Sequence, residues 1–321
     1  MKRISLGRTA ACLLCLCLLL AGCGSGGKAI RFGTAGVGGN YHTFGQTFAG
    51  LLSSGEEPME VEVKVTAGSA ANLRLMSEDY IRLAISQTDV ISAAWNGTDA
   101  FSGKALTGYG AVAGLYSEVC QFVTRRDSGI RSIRDLKGKK VSVGEAESGS
   151  EVNAVQILLA YGLNEKLVEE VNLNYTDAAK ALQEGEIDAF FCTAGVRTTV
   201  VEELARQVDI RLLPVSGDER KALIDSYDFY TAYTVPAGTY SGQNKDVKTV
   251  GVKAVLLASN KLSEGDVKKI TAALFKNADQ LQLAVPVDFA LTEENAVLDI
   301  PIPFHPGAAA YYEEAGVSIG K

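Results

Sequence analysis

The chain has 321 residues, of which 47% are hydrophobic, and a formal net charge of −7 at pH 7. This hydrophobic fraction is ordinary for a globular protein, and the length favours about two domains. The acidic balance, together with the lack of a basic patch in the sequence, argues against nucleic-acid binding.

The first 22 residues have the features of an export signal. Lys2, Arg3 and Arg8 come before an unbroken apolar run over 10–20. This run is shorter than the ~20 residues that a helix needs to span a bilayer, and it has the length of a signal-peptide core. The alternative, an anchor that stays attached to the chain, is disfavoured by the shortness of the run.

The signal ends in Leu-Ala-Gly-Cys, residues 20–23, which resembles the bacterial lipobox. In a lipobox the cysteine is acylated and becomes the first residue of the mature protein. We therefore predict a signal peptide over 1–22, a lipidated Cys23 that contacts the membrane, and an extracytoplasmic location. Residues 23–28 then form a flexible tether, because they are rich in glycine. Removal of the signal takes away three positive charges, so the mature chain carries −10.

The mature chain begins with alternating strands and helices, which indicates α/β architecture. A strand over 29–33 ends in a glycine-rich loop, and a helix begins at Asn40. Valines alternate with polar residues over 61–66, which is typical of a half-buried strand. The next elements are a helix opened by residues 67–69, a strand over 81–85, and a helix that Asp89 can cap.

A second series of elements follows the same order. Its strands are predicted over 119–124, 140–144, 173–175 and 187–192. Ser148 and Glu151 fit a capping box at the start of one helix, and Asp177 can cap the next. We therefore expect two similar lobes. The alternative explanation is that α/β units resemble each other by default.

Five loops lie where these strands end or helices begin. Open α/β sheets bind ligands outside the carboxyl ends of their strands. Helix N-termini offer unpaired N–H groups and the positive end of a dipole, and glycine and serine allow a ligand to approach closely. Such sites favour carboxylate or phosphate. The loops cover 34–40, 67–72, 86–89, 145–151 and 193–198.

Motifs for nucleotide binding and catalysis are incomplete. Gly36 and Gly38 are followed by Tyr41 where the dinucleotide pattern requires glycine, and the phosphate-loop Gly-Lys-Ser/Thr is missing. The two histidines, His42 and His305, are far apart in sequence and form no metal-binding pattern. The sequence therefore predicts no catalytic residues, no metal site and no cofactor.

Two cysteines, Cys120 and Cys192, lie outside the signal segment. Two thiols outside the cytoplasm can form a disulfide. The sequence leaves open whether these two pair or remain separate buried thiols.

Six segments resemble, in chain order, motifs of the TAXI family, the solute-binding subunits of TRAP (tripartite ATP-independent periplasmic) transporters. They are GTAGVGGNY (33–41), TAGSAANLRL (66–75), LAISQTDV (83–90), IDAFF (187–191), PAGTY (236–240), and HPGA (305–308) followed by Tyr311 and Tyr312. Each segment alone is a weak signal, but six in order across the mature chain make the resemblance specific.

The resemblance implies a bilobed type II periplasmic-binding-protein fold, with two α/β lobes joined by a hinge. Lobe one would take 29–115 and 235–321, and lobe two 116–234. The protein would capture a small carboxylate or amino acid, glutamate-like, in the interlobe cleft and deliver it to TRAP membrane permease subunits driven by an ion gradient. It would be a monomer and not an enzyme. Two alternatives remain: a sensor lipoprotein that serves a receptor, and an exported enzyme with an α/β cleft.

The loops and the resemblance together give a set of expected ligand-binding residues. They are Gly38, Gly39, Asn40, Tyr41, Ser69, Asn72, Gln87, Thr88, Ser148, Gly149, Ser150, Thr193 and Arg197. Arg197 stands where the family usually has proline. It either pairs with a ligand carboxylate, which the guanidinium fork matches, or is an exposed arginine at a helix start. Tyr41 either packs over the apolar part of the ligand or anchors the first helix.

Overall fold

Ten strands form one continuous sheet in the part of the chain that the structure describes. This structure is a computed structural model, and it describes residues 29–285, 287 and 290–320. The predictions for the signal, Cys23 and the tether lie outside these residues. The strands are β1 (Ile30–Gly33), β2 (Val61–Lys64), β3 (Leu83–Gln87), β4 (Tyr109–Arg125), β5 (Lys140–Ser142), β6 (Glu169–Val171), β7 (Ala189–Ala194), β8 (Ile210–Leu213), β9 (Thr231–Val235) and β10 (Val247–Ser259).

Helices cover both faces of the sheet. They are α1 (Asn40–Ser54), α2 (Ser69–Ser77), α3 (Thr88–Asn96), α4 (Gly149–Ala160), α5 (Tyr175–Glu184), α6 (Thr199–Gln207), α7 (Gly217–Ser226), α8 (Glu264–Lys276), α9 (Ala278–Ala284), α10 (Glu293–Ala296) and α11 (Pro306–Glu314). None of the helices in the described residues combines the length and the apolar character that crossing a membrane requires.

The two series of elements predicted from the sequence share one topology. In the first, β1 pairs in parallel with both β2 and β3. In the second, β5 pairs in parallel with both β6 and β7. Each series therefore places a central strand between its two successors, and the expected likeness of the two units is confirmed.

Three sequence predictions in these series were wrong in detail. The third strand of the second series lies at 169–171 and not at 173–175. Tyr175 instead begins α5, which Asn174 caps by accepting a hydrogen bond from the N–H of Asp177. Likewise, Gln87 occupies the cap position of α3, and Asp89 lies in its first turn. In both helices, the aspartate that the sequence predicts as the cap lies in the first turn instead.

The long strands β4 and β10 connect the two units. They pair antiparallel with each other from Tyr109 to Val119 of β4. The second half of β10 pairs with β3, and its first half pairs with β9. The second half of β4 pairs with β7 and β8. Each long strand therefore runs from one lobe into the other, as hinge strands do.

We propose that the lobe boundaries fall within these two strands. The outward crossing near residue 115 fits the pairing of β4. The return crossing fits β10 better than residue 235, because Tyr240 and Thr249, which both come after residue 235, still contact lobe two. Tyr240 Oη donates to Gln121 Oε1 at 2.7 Å, and Thr249 Oγ1 donates to the carbonyl of Cys120 at 2.6 Å.

Each lobe has a hydrophobic core on both faces of its part of the sheet. Side chains alternate between the faces along a strand, so neighbouring residues enter different cores. In lobe one, Leu256 and Leu257 of β10 pack into opposite cores. In lobe two, Phe190 and Phe191 of β7 do the same. This explains why the strands read as continuous apolar runs.

Cys120 and Cys192 are separate buried thiols. They lie on the paired strands β4 and β7, and Cys120 is opposite Thr193 in the register. Burial raises the pKa of both thiols above the usual range. Of the two alternatives that the sequence left open, the structure has the unpaired one.

Candidate functional site

A cavity of about 40 Å³ lies between the lobes, at the carboxyl ends of the parallel strands. Its walls come from the segments that follow β1, β2, β5 and β6, from the carboxyl ends of β3 and β7, and from β4. The lining residues are Gly39, Asn40, Tyr41, Ala67, Gly68, Ser69, Gln87, Glu118, Ser148, Gly149, Ser150, Tyr175, Thr193 and Ala194. Most of the residues predicted from the sequence are therefore brought together here.

Lobe one supplies the starts of α1 and α2 to this cavity, and also Gln87, the residue that precedes α3. The N-termini of α1, α2 and α3 lie at Asn40, Ser69 and Thr88. Ser69 Oγ accepts a hydrogen bond from the backbone N–H of Gln87 at 3.1 Å, which joins two of these loops. Since helix N-termini carry partial positive charge, this wall favours a negatively charged group.

Lobe two supplies the start of α4 and a cluster of hydroxyl groups. Ser148 caps α4 by accepting from the N–H of Glu151 at 3.0 Å, so the predicted cap is confirmed. The Ser150 hydroxyl accepts from the N–H of Thr193 at 3.0 Å and lies 2.6 Å from the Tyr175 hydroxyl. Tyr175 in turn donates to the carbonyl of Thr193 at 2.9 Å. These bonds fix α4, α5 and β7 relative to one another.

Glu118, on β4, closes the floor of the cavity. Its side chain is buried, and Tyr41 Oη donates to its Oε2 at 2.5 Å. Burial raises the pKa of this carboxyl to about 8, and the nearby Asp89 adds to the rise, whereas hydrogen bonds from Tyr41 and Gln87 act against it. Among the described residues that line the cavity there is no lysine, arginine or histidine.

The two lobes touch across the cavity. Asn153 Nδ2 of α4 donates to Asp89 Oδ2 of α3 at 2.7 Å, and Asn153 Oδ1 accepts from Thr193 Oγ1 at 3.0 Å. The N–H of Ala71 donates to the carbonyl of Glu147 at 3.2 Å. Burial raises the pKa of Asp89 to about 6. These contacts identify the conformation as closed.

Two glycines allow the lobes to approach this closely. A Cβ atom added to Gly149 would lie 1.8 Å from Oε1 of Gln87 in lobe one. A Cβ atom on Gly195 would lie 2.4 Å from Nδ2 of Asn40. A side chain at either position would overlap these atoms in the present conformation, so the opposing side chain or the lobe that carries it would have to move.

Four predicted residues are not brought to the cavity: Gly38, Asn72, Thr88 and Arg197. Gly38 has a left-handed φ of 91° and packs beside α5, and Thr88 lines a separate cavity of about 370 Å³. Arg197 is exposed, with φ of 67°, which agrees with the reading of an exposed helix-start arginine. Proline could not replace it in this conformation, because its ring holds φ near −65°.

Asn72 has a structural position within lobe one. Its Nδ2 donates to the carbonyls of Thr34 at 2.7 Å and Ile85 at 2.8 Å, and its Oδ1 accepts from Thr66 Oγ1 at 2.8 Å. The side chain is fully buried and its hydrogen-bonding groups are occupied by the protein. It therefore fastens the loops after β1 and β2 to β3.

Glu118 and Tyr175 line the cavity but were missed by the sequence prediction. The sequence predicts Tyr175 at the end of a strand, and the structure places it at the start of α5. Glu118 carried a usable signal: it is the only charged residue in β4 before Arg125. A single carboxylate inside a long apolar strand is expected to be buried with its neighbours. Because burying an unpaired charge is costly, such a carboxylate is a candidate functional residue.

The sequence pattern of the NMT1-like family matches residues 32–316. The chain belongs to the NMT1-like family. The match spans both lobes and all the residues that line the cavity.

Several solved structures resemble this one in fold. PhnD1 from Prochlorococcus marinus (MIT 9301), in complex with methylphosphonate, has a TM-score of 0.57 at 11% identity, over 90% of this chain and 98% of that one. MatC from Rhodopseudomonas palustris, with bound malate, has a TM-score of 0.56 at 17% identity, over 91% and 97%. The ligand-binding component of an ABC-type import system from Staphylococcus aureus, with zinc bound, has a TM-score of 0.50 at 13% identity, over 89% of each chain. The predicted bilobed periplasmic-binding-protein fold is confirmed.

Gly149→Val is expected to hold the lobes apart, because the new side chain would overlap Gln87 in the closed conformation. Small-angle X-ray scattering of the variant should give a larger radius of gyration than that of the natural protein in its closed conformation. Gly50→Val is the matched control, since a Cβ atom at Gly50 meets nothing within 4 Å. Equal radii for Gly149→Val and the natural protein would contradict the role assigned to Gly149.

The contribution of Glu118 to the stability of the ligand-free protein should fall as the pH rises from about 4.5 to about 8. Glu118 has its pKa raised from 4.5 to about 8 on folding, so in this interval the folded state keeps a proton that the unfolded state releases. Glu118→Gln removes this titration. Its free energy of unfolding, measured with urea at several pH values, should depend less on pH and exceed that of the natural protein near pH 8.

Glu203→Gln, on the exposed face of α6, is the control for loss of one negative charge. It should keep the slope of the natural protein. Asp89 has a pKa of about 6, below that of Glu118, so its contribution to the pH dependence of stability is the same in all three proteins. Parallel curves for Glu118→Gln and Glu203→Gln would argue against a protonated Glu118.

Proposed function

We propose that this protein is an extracytoplasmic substrate-binding protein that captures a small carboxylate or amino acid, glutamate-like, between its lobes. The observation that carries the proposal is the interlobe cavity, on which the N-termini of helices from both lobes converge. Helix N-termini suit anionic groups. Two lobes joined by a pair of crossing strands are suited to closing around a ligand. Malate in MatC and methylphosphonate in PhnD1 are small anions, which supports an anionic ligand here.

We also propose that the protein delivers its ligand to a TRAP permease driven by an ion gradient, as a TAXI subunit. The support is the ordered set of six segments, of which 33–41, 66–75 and 83–90 supply cavity residues. A second candidate partner is an ABC-type permease. It is favoured by the similar fold of the Staphylococcus aureus import component.

These partners are distinguished by the energy source of uptake. In cells that depend on this protein for uptake of its ligand, collapse of the ion gradient at constant ATP should stop transport through a TRAP permease. Uptake that persists without the gradient and ceases on ATP depletion would favour the ABC-type partner. Genes for large multi-span membrane proteins next to this gene would support transport over a sensor role.

The proposed ligand class is tested by calorimetry on purified protein that has been unfolded and refolded to remove bound molecules. At least one member of a panel of amino acids and dicarboxylic acids should bind, and Gly149→Val should bind it more weakly because closure is blocked. The bound molecule should be recovered unchanged by mass spectrometry, since we propose a role without catalysis. If the folded protein bound no member of the panel, the small-acid proposal would be withdrawn.

We propose that a lipid on Cys23 keeps the protein at the outer face of the cell membrane. Such an anchor raises the effective concentration of the cleft near a permease. Cys23→Ser should move the protein from the membrane fraction to the soluble extracytoplasmic fraction, and mass spectrometry should find an acylated N-terminal cysteine in the natural protein. An unmodified peptide that runs through Cys23 would overturn the anchor.

A further inference from the structure

The cavity has two poles of opposite charge preference. One wall is formed by the starts of α1, α2 and α4, whose unpaired N–H groups and dipoles suit an anion. The floor is formed by the carboxyl of Glu118. A ligand that fills this space must present a negative group to the wall and a different group to the floor.

Beside Glu118 lies one hydrogen-bond acceptor that the described residues leave unused. Glu118 is only 3% exposed, and its carboxyl accepts hydrogen bonds from Tyr41 and Gln87. Oε1 of Gln87 is buried and has no hydrogen-bond partner among the described residues. Buried acceptors without donors are costly, so this arrangement calls for a ligand that brings donors.

The groups that face Glu118 supply no positive charge. The ionisable side chains around it are Tyr41 from α1, Asp89 from α3, Tyr116 from β4, Tyr175 from α5 and Cys192 from β7. Cys120, also on β4, faces it too. Each of these groups is neutral or negative, so a cation for Glu118 has to come from outside the described protein.

We propose that the ligand is an amino acid whose protonated amine binds Glu118 and the side-chain oxygen of Gln87, while its carboxylate binds the helix starts. This rests on the proposed function and narrows it. An ammonium group has three donors, which matches a carboxylate and a neighbouring amide oxygen. Glu118 is then the residue that determines specificity.

A dicarboxylate fits the same cavity poorly. Its second carboxylate could accept only the single O–H of a protonated Glu118, and it brings no donor for the buried Oε1 of Gln87. Arg197, the candidate that sequence offered for pairing with a carboxylate, is exposed and does not line the cavity.

Binding of an amine should be linked to proton release. Without ligand, the raised pKa of Glu118, about 8, keeps its carboxyl mostly protonated at neutral pH. A bound ammonium favours the carboxylate, so Glu118 loses its proton to solvent while the ligand keeps its own. Affinity should therefore rise with pH below about 8, by up to roughly tenfold per pH unit.

The experiment compares each amino acid with the acid that lacks only its amine: L-glutamate with glutarate, and L-alanine with propionate. Calorimetry on the refolded natural protein should show at least one amino acid binding about a hundredfold or more tightly than its partner. The heat should vary with the ionisation enthalpy of the buffer. In Glu118→Gln the preference should shrink below about tenfold, and Glu203→Gln should retain it.

The outcomes separate this inference from the proposed function. Glutarate or propionate binding as tightly as its amino acid would overturn the amine site and leave the small-acid function standing. A full preference retained in folded Glu118→Gln would overturn the assignment to Glu118. Binding of no member of the panel of amino acids and dicarboxylic acids, these pairs included, to the folded natural protein would overturn both. Should Glu118→Gln fail to fold, the natural protein's preference within each pair and its pH dependence decide the question.

Discussion

The antiparallel pairing of β4 and β10 is the constraint on which the rest of the structure depends. Both strands cross from one lobe to the other, and each lends its two halves to different parts of the sheet. A relative movement of the lobes must therefore bend these two strands. Everything that faces the cleft moves as part of one lobe or the other, except the residues on the crossing itself, of which Glu118 is one.

Glu118 is energetically costly to bury, and it lies on the floor of the interlobe cavity. An ionised carboxylate buried without a cation is strongly disfavoured, so the group takes up a proton instead. The Tyr41 hydrogen bond satisfies one of its oxygens and also ties α1 to the crossing strand. Tyr41 therefore anchors the first helix, and through that anchor it orients the Glu118 carboxyl on the floor of the cavity. Such a floor suits recognition better than it suits stability.

Closure depends on small residues as much as on polar ones. Glycines at 149 and 195 let backbone from lobe two approach side chains of lobe one, and serines at the helix starts tie neighbouring loops together. The Asn153–Asp89 bond then spans the gap between α4 and α3. Because the contacts of the two glycines and the Asn153–Asp89 bond exist only when the lobes are together, they contribute to the closed state and not to either lobe alone.

The sequence by itself determined the α/β class, the repeated unit and most of the loops that form the cleft. These follow from local rules: side-chain alternation, helix capping, and the small residues that helix starts require. Tertiary structure alone decided which polar residues face the cavity. Asn72 lies in α2 and Gln87 ends β3, both in lobe one, but Asn72 turns inward to the carbonyls of Thr34 and Ile85, and Gln87 turns toward lobe two. Glu118 belongs to the site because distant strands bury it there, and that burial is a property of packing and not of local sequence.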